Sequence, residues 1–202
     1  MTISRFFPTQ VFTDLNRAGA LNAQLLREIA DLRNLDAAGA SWSKENYKNG
    51  FTSYASANEL QKISPTFARL EAWIDTRVAS FARALDLDLG GARLRMTTCW
   101  ANVMDANSHH SGHIHPLSVI SGTYYVSVPP GAPAIKFEDP RLAALMHSPP
   151  RKSAPRAENR THVEVPAKAG TLVLFESWLR HEVPMHVGRK PRISVSFNYD
   201  WI

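Results

Sequence analysis

Cysteine is almost missing from this chain: Cys99 is the single one among 202 residues. One thiol cannot close an internal disulfide, and it cannot build a multi-cysteine zinc site. Such usage fits a reducing compartment. No run approaches 18 apolar residues, so no membrane-spanning helix is expected. The opening MTISRFFPTQVF lacks a basic start leading into a long apolar stretch, so no secretory leader is expected either. A cytoplasmic location is the resulting expectation. Internal repeats and long low-complexity tracts are also missing. Acidic residues are outnumbered, 18 against 23 basic ones, which leaves a net charge of +5. The basic residues are scattered, however. Their densest stretch, RKSAPRAENR from Arg151 to Arg160, is a proline-bearing segment without interleaved aromatics. That argues against nucleic-acid binding. A mildly positive field equally suits small anionic ligands.

The composition, 44% apolar and 20% charged, is that of a folded chain rather than a disordered one. At this length a core can form without covalent staples. One domain over residues 1–202 is the default expectation, and a homodimer is the commonest assembly for such a chain.

The chain divides by its periodicity. Residues 1–91 are expected to be mostly helical support and loop. In TDLNRAGALNAQLLREIADLRNL, Leu21, Leu25, Ile29 and Leu32 recur at helical spacing, with Thr13 or Asp14 as the candidate cap. The polar stretch GASWSKENYKNGFTSYASA reads as an ordered loop held by Trp42, Tyr47, Phe51 and Tyr54. A second helix starts at Ser64-Pro65, a cap followed by proline in the first turn. Its apolar stripe runs Phe67, Leu70, Ile74, Val78, Phe81, Leu85 and stops near Gly90-Gly91. From residue 92 to 202 the period becomes two. RLRMTTCWANV, LSVISGTYYVSV, AIKF, THVEV, TLVLF and RISVSFNYDW are strand candidates, punctuated by PPGAP and PAKAG. The fold expected is α+β, mainly β: a double-stranded β-helix, or jelly roll, supported by N-terminal helices.

Eight histidines are present, and four of them fall between His109 and His115. On an extended chain, residues two apart face the same side, so His113 and His115 can reach one point. Neutral imidazole is a common ligand for iron, zinc and copper. A third ligand must come from elsewhere, and His181, after the strand GTLVLFESWLRH, is the best candidate. A solvated histidine loop remains the alternative at this level. His147, His162 and His186 have no partners at ligand spacing and read as surface residues. Eleven residues after His181 come Arg192 and Ser194, which alternation places on one face of the last strand. An arginine deep in a cavity requires an anionic partner, whereas one on the surface needs none.

In order, then, the chain carries His-x-His, a tyrosine-bearing strand, a gap, His, and Arg-x-Ser. This order resembles the 2-oxoglutarate- and Fe(II)-dependent oxygenases, and within them a bacterial and phage group of 2OG-Fe(II) oxygenases. NGFTSYAS, HIHPLSVISGTYYV, FEDPR, GTLVLFESWLRHEV and RISVSFNYDW are similar to that group's motifs, from about Trp42 to the end. The resemblance implies Fe(II), 2-oxoglutarate and O2 as cofactor and cosubstrates. It implies His113, His115 and His181 as metal ligands. It implies Arg192 with Ser194 on the far carboxylate of 2-oxoglutarate, joined by Tyr125 and, more weakly, Asn102. Tyr124 would pack instead. The implied reaction is hydroxylation of an unidentified substrate with release of succinate and CO2. Trp100, Phe137, Phe175 and Trp178 would shield the centre, and the Glu138–Arg141 turn with its following loop would be either a lid or plain surface. One departure stands out. Most of the superfamily has Asp or Glu where His115 stands, so Asp105 or Glu182 is an alternative source of a carboxylate. A three-histidine zinc hydrolase or lyase, and a cupin-like metal-stapled binding protein without turnover, remain the competing readings.

Overall fold

A computed structural model describes residues 1–166 and 168–202. Its elements in chain order are β1 (Val11–Leu15), α1 (Gly19–Leu35), α2 (Ala37–Asn46), β2 (Gly50–Thr52), α3 (Leu60–Ile63), α4 (Pro65–Ala84), β3 (Leu94–Met104), β4 (His110–His113), β5 (Ile120–Ser127), β6 (Ile135–Glu138), β7 (His162–Val165), β8 (Thr171–Glu176), β9 (His181–Val183) and β10 (Arg192–Trp201). The strands form a six-stranded sheet, ordered β1-β8-β5-β10-β3-β2, and a four-stranded sheet, ordered β4-β9-β6-β7. Strand pairing in both is antiparallel. This is the jelly roll that the period-two half of the sequence points to.

The large sheet is covered on both sides, and alternation sorts its residues. Cys99, Ala101 and Val103 of β3, Tyr124 of β5, Leu172 and Leu174 of β8, and Val195, Phe197 and Tyr199 of β10 join one apolar cluster with α1 and α4. Their sequence neighbours face the other way. Tyr125, Val173 and Phe175 meet Ile135 and Phe137 of the small sheet in a second cluster. A buried side chain of this size contributes about 1.5–3 kcal/mol, so the helical stripe is a substantial part of what holds the sheet in place. α4 supplies Phe67, Leu70, Ile74, Val78 and Phe81 to it, all almost inaccessible to solvent. Ser64 caps this helix as expected, its hydroxyl accepting from the backbone N–H of Thr66 and Phe67. Gly122 of β5 is required by close approach: a Cβ there would lie 2.7 Å from the Val173 carbonyl oxygen and 2.5 Å from the Phe197 ring.

Two local expectations fail. Thr13 and Asp14 do not cap the first helix. They lie on β1, which pairs with β8 from Val11↔Phe175 to Leu15↔Thr171. Free backbone groups on the β8 edge outbid a local cap, and Asp14 bonds Arg77 at 2.9 Å instead. The stretch taken for a loop contains α2, capped by the Asp36 carboxylate accepting from Gly39 N–H at 2.8 Å, and β2, which extends the sheet at β3. Its low apolar content hid the helix. Its aromatics do pack: Tyr47 and Phe51 are buried, and Trp42 is half-buried.

Candidate active site

The three histidines arrive from two segments 66 residues apart in sequence (181 − 115). β4 and β9 pair with His113 directly opposite His181. His115 follows just past the end of β4, its backbone N–H donating to Ser177 O at 2.9 Å. The ring centroids are 4.4 Å apart for His113–His181, 5.1 Å for His115–His181 and 5.3 Å for His113–His115. One ring nitrogen from each lies within 4.8 Å of the other two, a group of side chains able to hold a metal ion.

The hydrogen bonds assign the nitrogens. His113 Nδ1 is 2.6 Å from Ser111 O, His181 Nδ1 is 2.9 Å from Leu179 O, and His115 Nδ1 is 2.6 Å from Asn198 Oδ1. A backbone carbonyl oxygen only accepts, so Nδ1 of His113 and of His181 carries the proton and Nε2 keeps its lone pair; His115 matches them with the oxygen of the Asn198 amide toward its ring. Burial and the neighbouring His113 push His181 down to about 3, with the Leu179 carbonyl opposing. Burial also holds His115 below its usual range, against the Asn198 hydrogen bond. Neutral rings are what a metal requires.

These histidines line a cavity of about 600 Å³ that also reaches Asn102, Arg192, Ser194 and Asn198. Arg192 is 2% exposed, and no carboxylate among the described residues pairs with it. Its guanidinium carbon sits 4.7 Å from the centroid of the Tyr125 ring. Several buried polar atoms near it have no partner: Arg192 Nε, the Tyr125 and Tyr47 hydroxyls, Ser108 Oγ and Asn102 Oδ1. Arg192, Tyr47 and Asn102 line the cavity, whereas Tyr125 and Ser108 do not; unsatisfied groups on a cavity wall suit a ligand. Asn102 bonds Ser196 Oγ through its Nδ2 at 3.0 Å. Tyr124 packs on the helical side, its hydroxyl donating to Asn22 Oδ1, as alternation requires.

Some expected members are elsewhere. Asp105 pairs with Arg33, and Glu182 with Lys136 at 2.8 Å, so neither brings a carboxylate to the histidines. His186 is not a surface residue: it is fully buried, with Nε2 2.8 Å from Lys190 O. A half-turn of loop closing on its own carbonyl leaves no ligand-spacing signature. Trp178 is 48% exposed and does not line the cavity, whereas Phe175 lies 4.5 Å from the His181 ring. The Asp139–Thr161 connection contributes nothing to the lining. Conversely, Tyr47, His110 and Ser108 escaped the sequence reading. Tyr47 stacks on His110 at 4.5 Å, and burial drives His110 down to about 3. Asn198 escaped it too, although the period of two that places Arg192 and Ser194 on one face extends to it.

A family model described as "Putative 2OG-Fe(II) oxygenase" matches residues 98–198, half of the chain. No curated protein matches it. Among solved structures, HygX from Streptomyces hygroscopicus with nickel and 2-oxoglutarate bound superposes with a TM-score of 0.64 at 15% identity, over 95% of this chain and 83% of that one. A Pseudomonas putida prolyl-4-hydroxylase gives 0.61 at 14% identity, over 95% and 92%. Identities this low speak for the fold, and the family model speaks for the class. This chain belongs to the 2OG-Fe(II) oxygenases, enzymes that depend on Fe(II) and 2-oxoglutarate.

Proposed function

We propose that residues 1–202 act as one dioxygenase domain that hydroxylates a still unidentified substrate and releases succinate and CO2. His113, His115 and His181 hold Fe(II) through Nε2. The observation that carries this is that all three Nδ1 atoms are tied to oxygen, while one ring nitrogen from each histidine lies within 4.8 Å of the other two. The bound metal supplies the oxidative decarboxylation of 2-oxoglutarate and the attack on a C–H bond. The protein supplies position. Arg192 presents its planar fork to the far carboxylate of 2-oxoglutarate. Ser194 and Tyr125 add hydroxyl donors, and Asn102 closes the side of the pocket. Phe175 and Trp100 keep water from the histidines. The Trp100 ring is 6.0 Å from His115, Tyr54 packs edge-on to Trp100 at 5.1 Å, and Trp42 lies 6.3 Å from Tyr54. This aromatic wall runs from the metal ligands to the mouth, and the substrate stacks along it. The single cysteine and the lack, among the described residues, of a helix fit to cross a membrane support a cytoplasmic site of action.

The test is anaerobic addition of Fe(II) and 2-oxoglutarate. A weak visible charge-transfer band is expected, and it is lost in Arg192→Ala. Tight zinc with no band favours a zinc hydrolase instead. Iron bound without succinate release across metabolite and peptide pools favours a binding protein. Tyr54→Ala is expected to raise KM for the primary substrate and leave that for 2-oxoglutarate unchanged.

A further inference from the structure

Two of the three histidines are held by backbone. The carbonyls that accept from His113 and His181 belong to residues two positions earlier in the chain, Ser111 on β4 and Leu179 in the turn before β9. His115 is different. Its Nδ1 partner is a side chain, Asn198 Oδ1, from β10. An amide can present either its oxygen or its nitrogen, and the two choices have opposite consequences. Oxygen toward the ring keeps the proton on Nδ1 and the lone pair on Nε2. Nitrogen toward the ring donates to Nδ1, forces the proton onto Nε2, and removes the third ligand.

In the structure Asn198 takes the first choice, its oxygen toward the ring. Its Oδ1 also accepts from Ser121 Oγ at 2.8 Å, and Ser121 Oγ is 2.7 Å from Ser177 Oγ. Its Nδ2 donates to Thr98 Oγ1 at 3.0 Å. Ser121 and Ser177 are fully buried, so water does not compete for these groups. The Ser177 carbonyl receives the His115 backbone N–H, so one network fixes both the ring and the main chain of this residue. Side chains from β3, β5 and β10 and from the turn after β8 meet in it.

We infer that Asn198 is a positioning residue: held in place by Thr98 and Ser121, it sets the tautomer and angle of the His115 ring, and thereby makes a three-histidine site competent to hold the metal. This rests on the ligand assignment proposed above. The two are separable, because the tautomer is read without metal.

The experiment is a long-range proton–nitrogen correlation spectrum of the metal-free, ¹⁵N-labelled protein above pH 7.5, assigned with His115→Gln. The wild type and Asn198→Asp, which keeps the acceptor, are expected to show His115 protonated on Nδ1. Asn198→Leu, similar in size but without polar atoms, is expected to move the proton toward Nε2. Cobalt(II) affinity, titrated by absorbance, should fall in Asn198→Leu by about 10–100-fold, the range typical of a lost outer partner, and recover in Asn198→Asp. A wild-type His115 protonated on Nε2 overturns the inference without any variant. So does Asn198→Leu with an unchanged tautomer and cobalt affinity within twofold. Failure of the ligand assignment has a different signature: wild-type cobalt uptake that His113→Ala and His181→Ala do not affect.

Discussion

Replacing Arg192 by methionine separates binding from folding, because the two effects carry opposite signs. Arg192 is 2% exposed, and its Nε has no acceptor. A buried donor left unpaired costs about 1–3 kcal/mol. The rest of the guanidinium borders the cavity, where water relieves it, and its contact with the Tyr125 ring returns about 0.5–1 kcal/mol. Methionine fills a similar volume with no polar atoms. The net expectation is that Arg192→Met stabilises the ligand-free protein by about 1 kcal/mol, or roughly 2–4 °C for a chain of this length. The wild type should then respond to ligand. With Ni(II) in place of Fe(II) to prevent turnover, 2-oxoglutarate at about 100 times its Kd adds about 2.7 kcal/mol, a rise of about 5–11 °C. Arg192→Met should show none of it. Pyruvate, which lacks the far carboxylate, should move neither protein by more than a small fraction of this. Thermal unfolding followed by circular dichroism provides all of these numbers. A ligand-free Arg192→Met that melts below the wild type refutes the idea of an unpaired guanidinium waiting for an anion. A variant that keeps the 2-oxoglutarate shift refutes the assignment of its partner.

Other perturbations reach other parts of the molecule. His181→Ala should reduce cobalt uptake by more than the about 10–100-fold expected for outer-sphere changes, with the far-ultraviolet spectrum unchanged. Ile74→Ala, in the fully buried stripe of α4, should cost about 2–5 kcal/mol in urea unfolding, whereas Ser64→Ala at the cap of the same helix should cost about 1 kcal/mol. Cys99 is 1% exposed, and burial raises its thiol above the usual range, so a thiol reagent should label it only at the rate of unfolding. Arg77 holds the Asp14 carboxyl below its ordinary 3.8. The pair's contribution is therefore full above that pH and fades as pH falls through the lower folded value. The two side chains are about a third exposed, so Arg77→Met should cost less than about 1 kcal/mol at pH 7 and progressively less in acid titrations.

Local patterns were sufficient wherever a single residue's neighbours along the chain decide its state. Ser64-Pro65 starts α4 because a hydroxyl and a fixed φ satisfy the helix end within one turn. The alternation in RISVSFNYDW sends Arg192, Ser194 and Asn198 to one face and Val195, Phe197 and Tyr199 to the other, whatever lies beyond each face. The same parity separates Tyr125 from Tyr124. Only the tertiary structure decided what those faces meet. VFTDL could cap a helix or pair with a strand, and the open edge of β8 chose. Asp105 and Glu182 were free carboxylates until folding set Arg33 and Lys136 beside them. The convergence of His181 on His113 and His115 depends on the pairing of β4 and β9, two segments far apart in the chain, and the proton position on His115 depends on an amide from β10. Hydrogen bonding and desolvation act between groups that sequence order does not bring together, so which histidines come together was legible in the chain and their chemical state was not.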